Sequence, residues 1–436
     1  MEFQAIVLAG GQGSRLDELS TNTPKCLLPI GNKPMIWYPV RMLEKAGFTD
    51  INIITLETIK SKVESELRNN GIKSNLNIVG IKESIDDDEE YGTANSLKLL
   101  KDKISKDCII VSCDLITNLC LQKMANFYRV NNASFLMLLS DSSEQNLELP
   151  IPGSKGKYAP ERDLVALDPE TNRVLYFNAQ EDIEEINLKT SVIQKYPKFV
   201  WTNRLQDGHL YFIKKWLVDY IIDNKKIFSL KSDFLPFICK KQFASSGKFR
   251  REQDTSGNQV TNKKMTIFDY VKRDDIELLI NKSSRKNPIS CYAFIQADGF
   301  CLRTNNLPIY AEANRQIMGK IMPVFQRERT ESISRHDRSQ VGSDSLIGEG
   351  TTIGDKTLIK RSVIGKNCKI GEKCKITNSI LMDNVQVAEG VVLQGTIICS
   401  NSKINQKSEF KDCVVSYEQD IITTGKYSNE TIKDVD

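Results

Sequence analysis

Short runs of aliphatic, mostly β-branched residues recur through the first 140 positions of this chain. They are Ala5-Ile6-Val7-Leu8, Ile51-Asn52-Ile53-Ile54, Leu76-Asn77-Ile78-Val79, Cys108-Ile109-Ile110-Val111 and Ser134-Phe135-Leu136-Met137-Leu138. Each has the length and composition of a buried strand. Between them the apolar positions take helical spacing, as in Pro34 to Ala46, a stretch that opens on proline and is stopped by Gly47. Strands alternating with amphipathic helices predict an α/β domain whose mostly parallel sheet is covered on both faces. From 140 to 240 the alternation blurs, and an α/β continuation with inserted hairpins is the reading. Residues 245–264 are nearly free of apolar side chains and read as a flexible insertion.

A different rhythm takes over near residue 341. Ile347, Ile353 and Ile359 stand six apart, and Ile364 follows after five. The cycle then repeats through Ile370, Ile376, Leu381, Val387, Leu393, Ile398, Ile404, Phe410, Val415 and Ile421. A period of 17 residues predicts a solenoid, each coil burying its apolar corner against the next, with about four coils up to Ile421. Chance spacing in a β-sandwich is the alternative, but strand alternation alone does not produce a six-six-five cycle repeatedly. Gly348, Gly354, Gly365 and Gly371 follow core positions and are expected at corners that need positive φ. The resulting division is an α/β domain over 1–325, a connector at 326–340, a hexapeptide-repeat solenoid over 341–425 and a polar tail at 426–436.

Composition narrows the function classes. With 436 residues there is room for two large cores, and 27% charged with 40% apolar residues is a globular balance. The 60 basic and 56 acidic side chains give a net charge of +4, too even for a nucleic-acid-binding face. No apolar run reaches the length of a membrane span, and Met1-Glu2-Phe3-Gln4 is not a basic leader. A cytosolic protein is therefore expected, with neither membrane nor direct nucleic-acid binding. The 11 cysteines never fall in a Cys-x-x-Cys pair and are expected as reduced, mostly buried thiols.

Candidate chemistry begins where the first strand runs into Leu8-Ala9-Gly10-Gly11-Gln12-Gly13-Ser14-Arg15-Leu16. Successive glycines let backbone N–H groups converge on phosphate oxygens, and Arg15 adds a planar charged fork. No Gly-Lys-Ser/Thr ends the loop, and Leu16 stands where a dinucleotide fingerprint has its third glycine. Pro24-Lys25-Cys26-Leu27-Leu28-Pro29 then holds one lysine between two prolines, placed to balance triphosphate charge. Asp114 closes the strand Cys108 to Cys113, and strand carboxyl ends are where open α/β sheets bind ligands. Taken alone, Asp114 reads equally as a turn or cap residue. The acidic run Asp86-Asp87-Asp88-Glu89-Glu90 reads as a solvated loop. A solenoid acyltransferase would need a catalytic histidine on its coils, but the chain has only His209 and His336, and none beyond Val341. His209 reads as a packed turn residue.

Taken together, Leu8 to Leu16 and Pro24-Lys25-x-Leu27-Leu28-Pro29-x-Gly31-x-Lys33-Pro34 resemble the signature of nucleotidyltransferases that make sugar nucleotides. The resemblance implies a Rossmann-like nucleotidyltransferase domain followed by a left-handed parallel β-helix. It also implies roles: Arg15 and Lys25 match residues that bind and activate the triphosphate, and Gly92-Thr93-Ala94 matches the base-side motif. Asp114 matches a magnesium-binding aspartate. The implied nucleotide site is Leu8, Ala9, Gly10, Gly11, Gly13, Ser14, Arg15, Lys25, Gly92 and Thr93, with Asp114 as metal ligand and GTP or ATP with magnesium as ligand. The second half of the site departs from the family. Its Glu-Lys-Pro is missing, since the strand Arg173 to Phe177 runs into Asn178-Ala179-Gln180-Glu181. Its Asn-Ala-Gly or Asn-Thr-Gly turn is replaced by Gln206-Asp207-Gly208-His209, and no second metal aspartate is found. Losing one carboxylate of a two-carboxylate site should cripple phosphoryl transfer, so no catalytic residue and no required cofactor are expected.

Longer stretches are similar to the gamma subunits of eukaryotic translation initiation factor 2B. They are Met1 to Ala5, Gly31-Asn32-Lys33-Pro34-Met35-Ile36-Trp37-Tyr38-Pro39, Ser112-Cys113-Asp114-Leu115-Ile116-Thr117, Tyr310-Ala311-Glu312-Ala313-Asn314-Arg315-Gln316 and Val341 to Gly348. This resemblance implies a non-catalytic subunit of a GDP/GTP exchange complex acting on translation initiation factor 2. Its implied partners are the epsilon subunit, which carries exchange catalysis in an extra C-terminal helical domain, and the alpha, beta and delta subunits. This chain is expected to lack that domain and to act as scaffold and regulator. An active sugar-1-phosphate nucleotidyltransferase, like the mannose-1-phosphate guanylyltransferases, is the alternative.

Overall fold

The computed structural model describes residues 2–11, 13–82, 92–141, 149–158, 162–179, 186, 188–244, 267–268, 270, 289–296, 299–321, 325, 334–335 and 338–433. The acidic run at 86–90, the insertion at 245–264 and most of the connector at 326–340 lie outside the described residues. The five aliphatic runs form strands β1 (Phe3–Ala9), β2 (Asp50–Leu56), β3 (Asn75–Ile81), β4 (Asp107–Ser112) and β5 (Phe135–Asp141). Beyond them come β6 (Asp163–Asp168), β7 (Arg173–Ala179), β8 (Val200–Thr202), β9 (Leu205–Ile213) and β10 (Cys291–Gln296). All ten belong to one sheet in the order β8-β6-β7-β10-β5-β9-β4-β1-β2-β3. The half that carries the glycine loop, β4-β1-β2-β3, is parallel throughout. Strand β9 runs antiparallel between β4 and β5, and β6, β7 and β8 add an antiparallel edge. Ala5, Val7 and Ala9 of β1 face one apolar layer while Ile6 faces the other, so both faces are covered. That double burial is why the runs are continuous rather than alternating.

The helix expected from Pro34 begins three residues later, at Trp37, and runs to Lys45 (α1). Pro34 is instead part of a two-stranded hairpin, Pro29–Ile30 with Lys33–Pro34. Its turn residues Gly31 and Asn32 take φ of 54° and 62°, the left-handed pair that a two-residue hairpin demands. The helix ends as expected of a glycine C-cap. Gly47, at φ 93°, donates to the Glu44 carbonyl, and Phe48 donates to that of Leu43.

After β1 the chain builds β2 and β3 on one side, then returns to place β4 on the other. The carboxyl ends of β1 and β4 therefore flank a topological switch point, the crevice where open α/β sheets bind ligands.

The second domain is a triangular stack of three parallel sheets, each six strands deep. Each coil sits 17 residues after the last, pairing Ile353 with Ile370, Ile359 with Ile376 and Ile364 with Leu381. All fourteen positions of the six-six-five cycle share one interior core. Two expectations need correction. The glycines after core positions do not have positive φ, which falls later in the corners on residues such as Asn367, Lys373 and Asn384. They answer a steric need instead: a Cβ at Gly348 would lie 2.5 Å from the Gly365 backbone of the next coil.

The stack also exceeds the expected boundaries. Ser334–Arg335 pairs with Thr352–Ile353 inside the connector, and Lys426–Ser428 and Thr431–Ile432 extend it through the expected tail. The physical reason is Tyr427, which stands 17 residues beyond Phe410 and stacks on it with ring centroids 4.7 Å apart. Small buried residues form a ladder beneath the corners: Thr351 Oγ1 donates to the Gly365 carbonyl and Cys368 Sγ to that of Met382. All 11 cysteines are free thiols, and all but Cys120 are buried. Among the described residues no helix is long and apolar enough to cross a membrane.

Candidate functional site

The glycine loop leaves β1 at Ala9 and lies over the switch point. Gly10 is pressed against the sheet, where a Cβ would come within 2.5 Å of Ile81 Cδ1. Gly13 takes φ of 86° and packs on the Lys25 stem, 3.0 Å from where its Cβ would stand. Gly11 meets nothing within 4 Å, so its face is open. Leu16 donates its N–H to the Gly13 carbonyl and is buried, stapling the loop to the core while Ser14 and Arg15 stay exposed.

Beneath the loop Lys25 Nζ meets Asp114 Oδ2 at 2.6 Å. Asp114 lies two residues past β4, in a segment tied to β1 by the Cys113 N–H donating to the Leu8 carbonyl. Its own carbonyl accepts from the Thr304 N–H and hydroxyl. That anchorage brings in Arg303: Cys301–Arg303 pairs antiparallel with Leu115–Thr117, and Arg303 Nε reaches to 3.6 Å from the same Asp114 Oδ2. Burial pushes the Asp114 carboxyl up, but Lys25 and Arg303 outweigh it and hold the group well below the usual carboxylate range. Its Oδ1 is buried without a hydrogen-bond partner.

The altered turn, Gln206-Asp207-Gly208-His209, forms a bulge in β9, where the register with β5 shifts between Asp207 and Tyr211. His209 takes φ of 50° inside this bulge. Asp207 is fully enclosed. It accepts from the Tyr211 hydroxyl and the His209 N–H, while its own N–H donates to Asp163 Oδ2. Burial raises the Asp207 carboxyl to about 6 despite Lys231, which pairs with Asp163 at 2.9 Å. His209 Nε2 is 3.4 Å from Asp207 Oδ2 without hydrogen-bond alignment. Burial, with Arg303 and Lys231 adding to it, pushes its imidazole well below the ordinary histidine value.

Gly92 and Thr93 are held against another segment of the chain. A Cβ at Gly92 would lie 2.2 Å from the Phe228 carbonyl, which accepts from the Ala94 N–H, and Thr93 Oγ1 accepts from the Leu230 N–H. The loop, Lys25 and Asp114 thus converge, while Gly92 and Thr93 pack on the Phe228–Leu230 segment.

At Asp114 a magnesium ion would meet a carboxylate whose Oδ2 already faces two cations and whose Oδ1 has no hydrogen-bond partner. Asp114 already carries two cations on one oxygen, and among the described residues no group of three or more His, Cys, Asp or Glu converges to hold a metal. Arg303, Lys231 and Asp163 went unnoticed in the sequence. No local spacing links them to the loop, and only strand pairing brings Arg303 to Asp114.

The diagnostic stretches Gly31–Pro39 and Tyr310–Gln316 meet away from this pocket, at the junction of the two domains. The Gly31 N–H donates to Asn314 Oδ1, Tyr310 OH to the Pro29 carbonyl and Asn32 Nδ2 to the Ile364 carbonyl of the β-helix.

Comparison with known proteins agrees with this two-domain layout. A nucleotidyl transferase family model matches residues 4–146, and a model of the eIF2B subunit epsilon LbH domain, a left-handed β-helix, matches residues 326–425. Translation initiation factor eIF2B subunit gamma of Schizosaccharomyces pombe is 33% identical over 425 residues, covering 96% of this chain and 87% of that protein. Its namesake in Dictyostelium discoideum is 28% identical over 397 residues, covering 82% of this chain and 86% of that protein. Mannose-1-phosphate guanyltransferase of Saccharomyces cerevisiae is 26% identical over 209 residues, covering 44% of this chain and 54% of that protein. The enzyme likeness is thus partial, whereas the other runs through both domains and their junction. The chain belongs to the family of translation initiation factor eIF2B gamma subunits.

Proposed function

We propose that this chain is a non-catalytic subunit of a cytosolic translation initiation factor 2B assembly. In this reading it pairs with an epsilon subunit, joins alpha, beta and delta subunits, and supports GDP/GTP exchange on translation initiation factor 2 as a scaffold. Its glycine pocket holds GTP or ATP without transferring a nucleotidyl group. The observation that supports the non-catalytic part is the pairing of Asp114 Oδ2 with both Lys25 and Arg303, which sets two cations against a metal at that oxygen. The scaffold part is supported by the family-diagnostic stretches, which lie at the domain junction as well as on the pocket floor.

The test is turnover. Purified full chain given GTP or ATP, magnesium and mannose 1-phosphate should release no pyrophosphate above background. Robust release overturns the proposal and favours an active sugar-1-phosphate nucleotidyltransferase, the reading that the complete Leu8–Leu16 loop supports.

A further inference from the structure

The floor of the pocket is arranged in depth. Asp114 is 1% exposed, whereas Lys25 and Arg303, both on its Oδ2, are 13% and 25% exposed. The cations therefore stand between the carboxylate and the solvent-facing side. Gly13 rests on the Lys25 stem, and Gly11, two residues before it, has open space where a side chain would be. A phosphate on the loop's N–H groups would lie next to Lys25, whose partner Asp114 also faces Arg303.

The geometry points to a phosphate site that works without a metal: Asp114 is the internal counter-ion of Lys25 and Arg303, and the phosphates of a nucleoside triphosphate bind by drawing those cations away from it. This rests on the proposed holding of nucleotide without transfer, and it names the means of holding. Magnesium demands a near-octahedral shell of oxygens and brings two positive charges. On Asp114 it would meet a carboxylate oxygen that stands within 4 Å of two cations and, among the described residues, no group of three or more His, Cys, Asp or Glu. Like charges at that distance repel most strongly where water is excluded. A triphosphate needs no such shell, because lysine and arginine satisfy phosphate oxygens directly by charge-assisted hydrogen bonds.

The two roles for Asp114 make opposite predictions. GTP is titrated into the full chain by calorimetry, with magnesium and again with excess EDTA. The wild-type Kd should agree within about twofold between the two conditions. Asp114→Asn removes the negative charge that Lys25 and Arg303 share and should tighten GTP binding about threefold to tenfold in each condition. Arg303→Gln removes one phosphate partner and should weaken binding about fivefold, also in each. It leaves the Lys25–Asp114 pair in place, so it remains informative if Asp114→Asn fails to fold. Loss of wild-type binding on chelation overturns the inference, as does weaker binding by folded Asp114→Asn or no binding in either condition. Pyrophosphate release, read separately, would instead overturn the non-catalytic reading.

Discussion

Asp207 and Asp114 lie in the same buried floor, yet their carboxyls move in opposite directions. Asp114 has two cations on one oxygen and stays ionised, whereas Asp207 has a hydroxyl, an N–H and the nearby Asp163, and is raised to about 6. The folded chain therefore keeps a proton on Asp207 between about pH 4 and 6 that the unfolded chain has released. Its contribution to stability falls as pH rises through that window and is level above it. Asp207→Asn should remove this slope, worth about 3 kcal/mol as an upper figure. Urea midpoints of both proteins at pH 4.5 and 6.5 check it. An unchanged difference between the two pH values would mean that Asp207 titrates normally. The loop glycines, Lys25 and Asp114 were legible because a local motif carries them. Arg303 and Lys231 were not, because a cation's partner far along the chain leaves no periodic trace.

Among the elements, the β-helix was the most legible, since its coils stack in register and every coil must bury the same three corners. The reading stopped one coil short because Tyr427 fills an end position with a half-buried ring rather than an aliphatic side chain. Terminal repeats are atypical for that reason: their outer side has no neighbour to bury against. Pro34, the last residue of the hairpin Pro29–Pro34, reads as a helix start because proline at N1 and proline at a strand edge look alike in one dimension. The hairpin's turn now has a specific demand. Gly31 sits at φ 54°, and a Cβ there would lie 2.3 Å from Ile317 Cγ1. Gly31→Ala should destabilise the chain by about 2–4 kcal/mol through backbone strain and overpacking together. Chemical denaturation measures this, and a loss under 0.5 kcal/mol, the ordinary range for a surface substitution, would mean that the hairpin tip moves freely.

In the whole molecule the two domains share one apolar core, and a second 17-residue row makes it. Val363, Ile380, Ile397 and Val414 each precede an interior position and point outward, yet all are buried against the α/β domain, with Leu346 beside them. Ile397 is 1% exposed, while its neighbour Ile398 lies in the separate interior core. Ile397→Asp should therefore cost at least about 3 kcal/mol of domain docking while sparing the coils. Calorimetry of the full chain should show one transition becoming two, with the β signal of the stack kept. A single transition merely shifted downward would mean that the domains stay coupled without this contact.

Local periodicity settled the kinds of element, the switch-point fold and the coil repeat, because strand alternation and corner burial are dictated by neighbours close along the chain. Strand ends in an open α/β sheet are ligand positions, which put Asp114 near the glycine loop, and the resemblance to sugar-nucleotide nucleotidyltransferases put Lys25 there. The outward row could be counted, but not told from a solvated face, until the α/β domain was seen covering it. The same holds for Asp114. By resemblance it matches a magnesium-binding aspartate, and only the pairing of Cys301–Arg303 with Leu115–Thr117 puts a second cation on it. Charge compensation is a property of contacts in space, and no pattern along the chain encodes it.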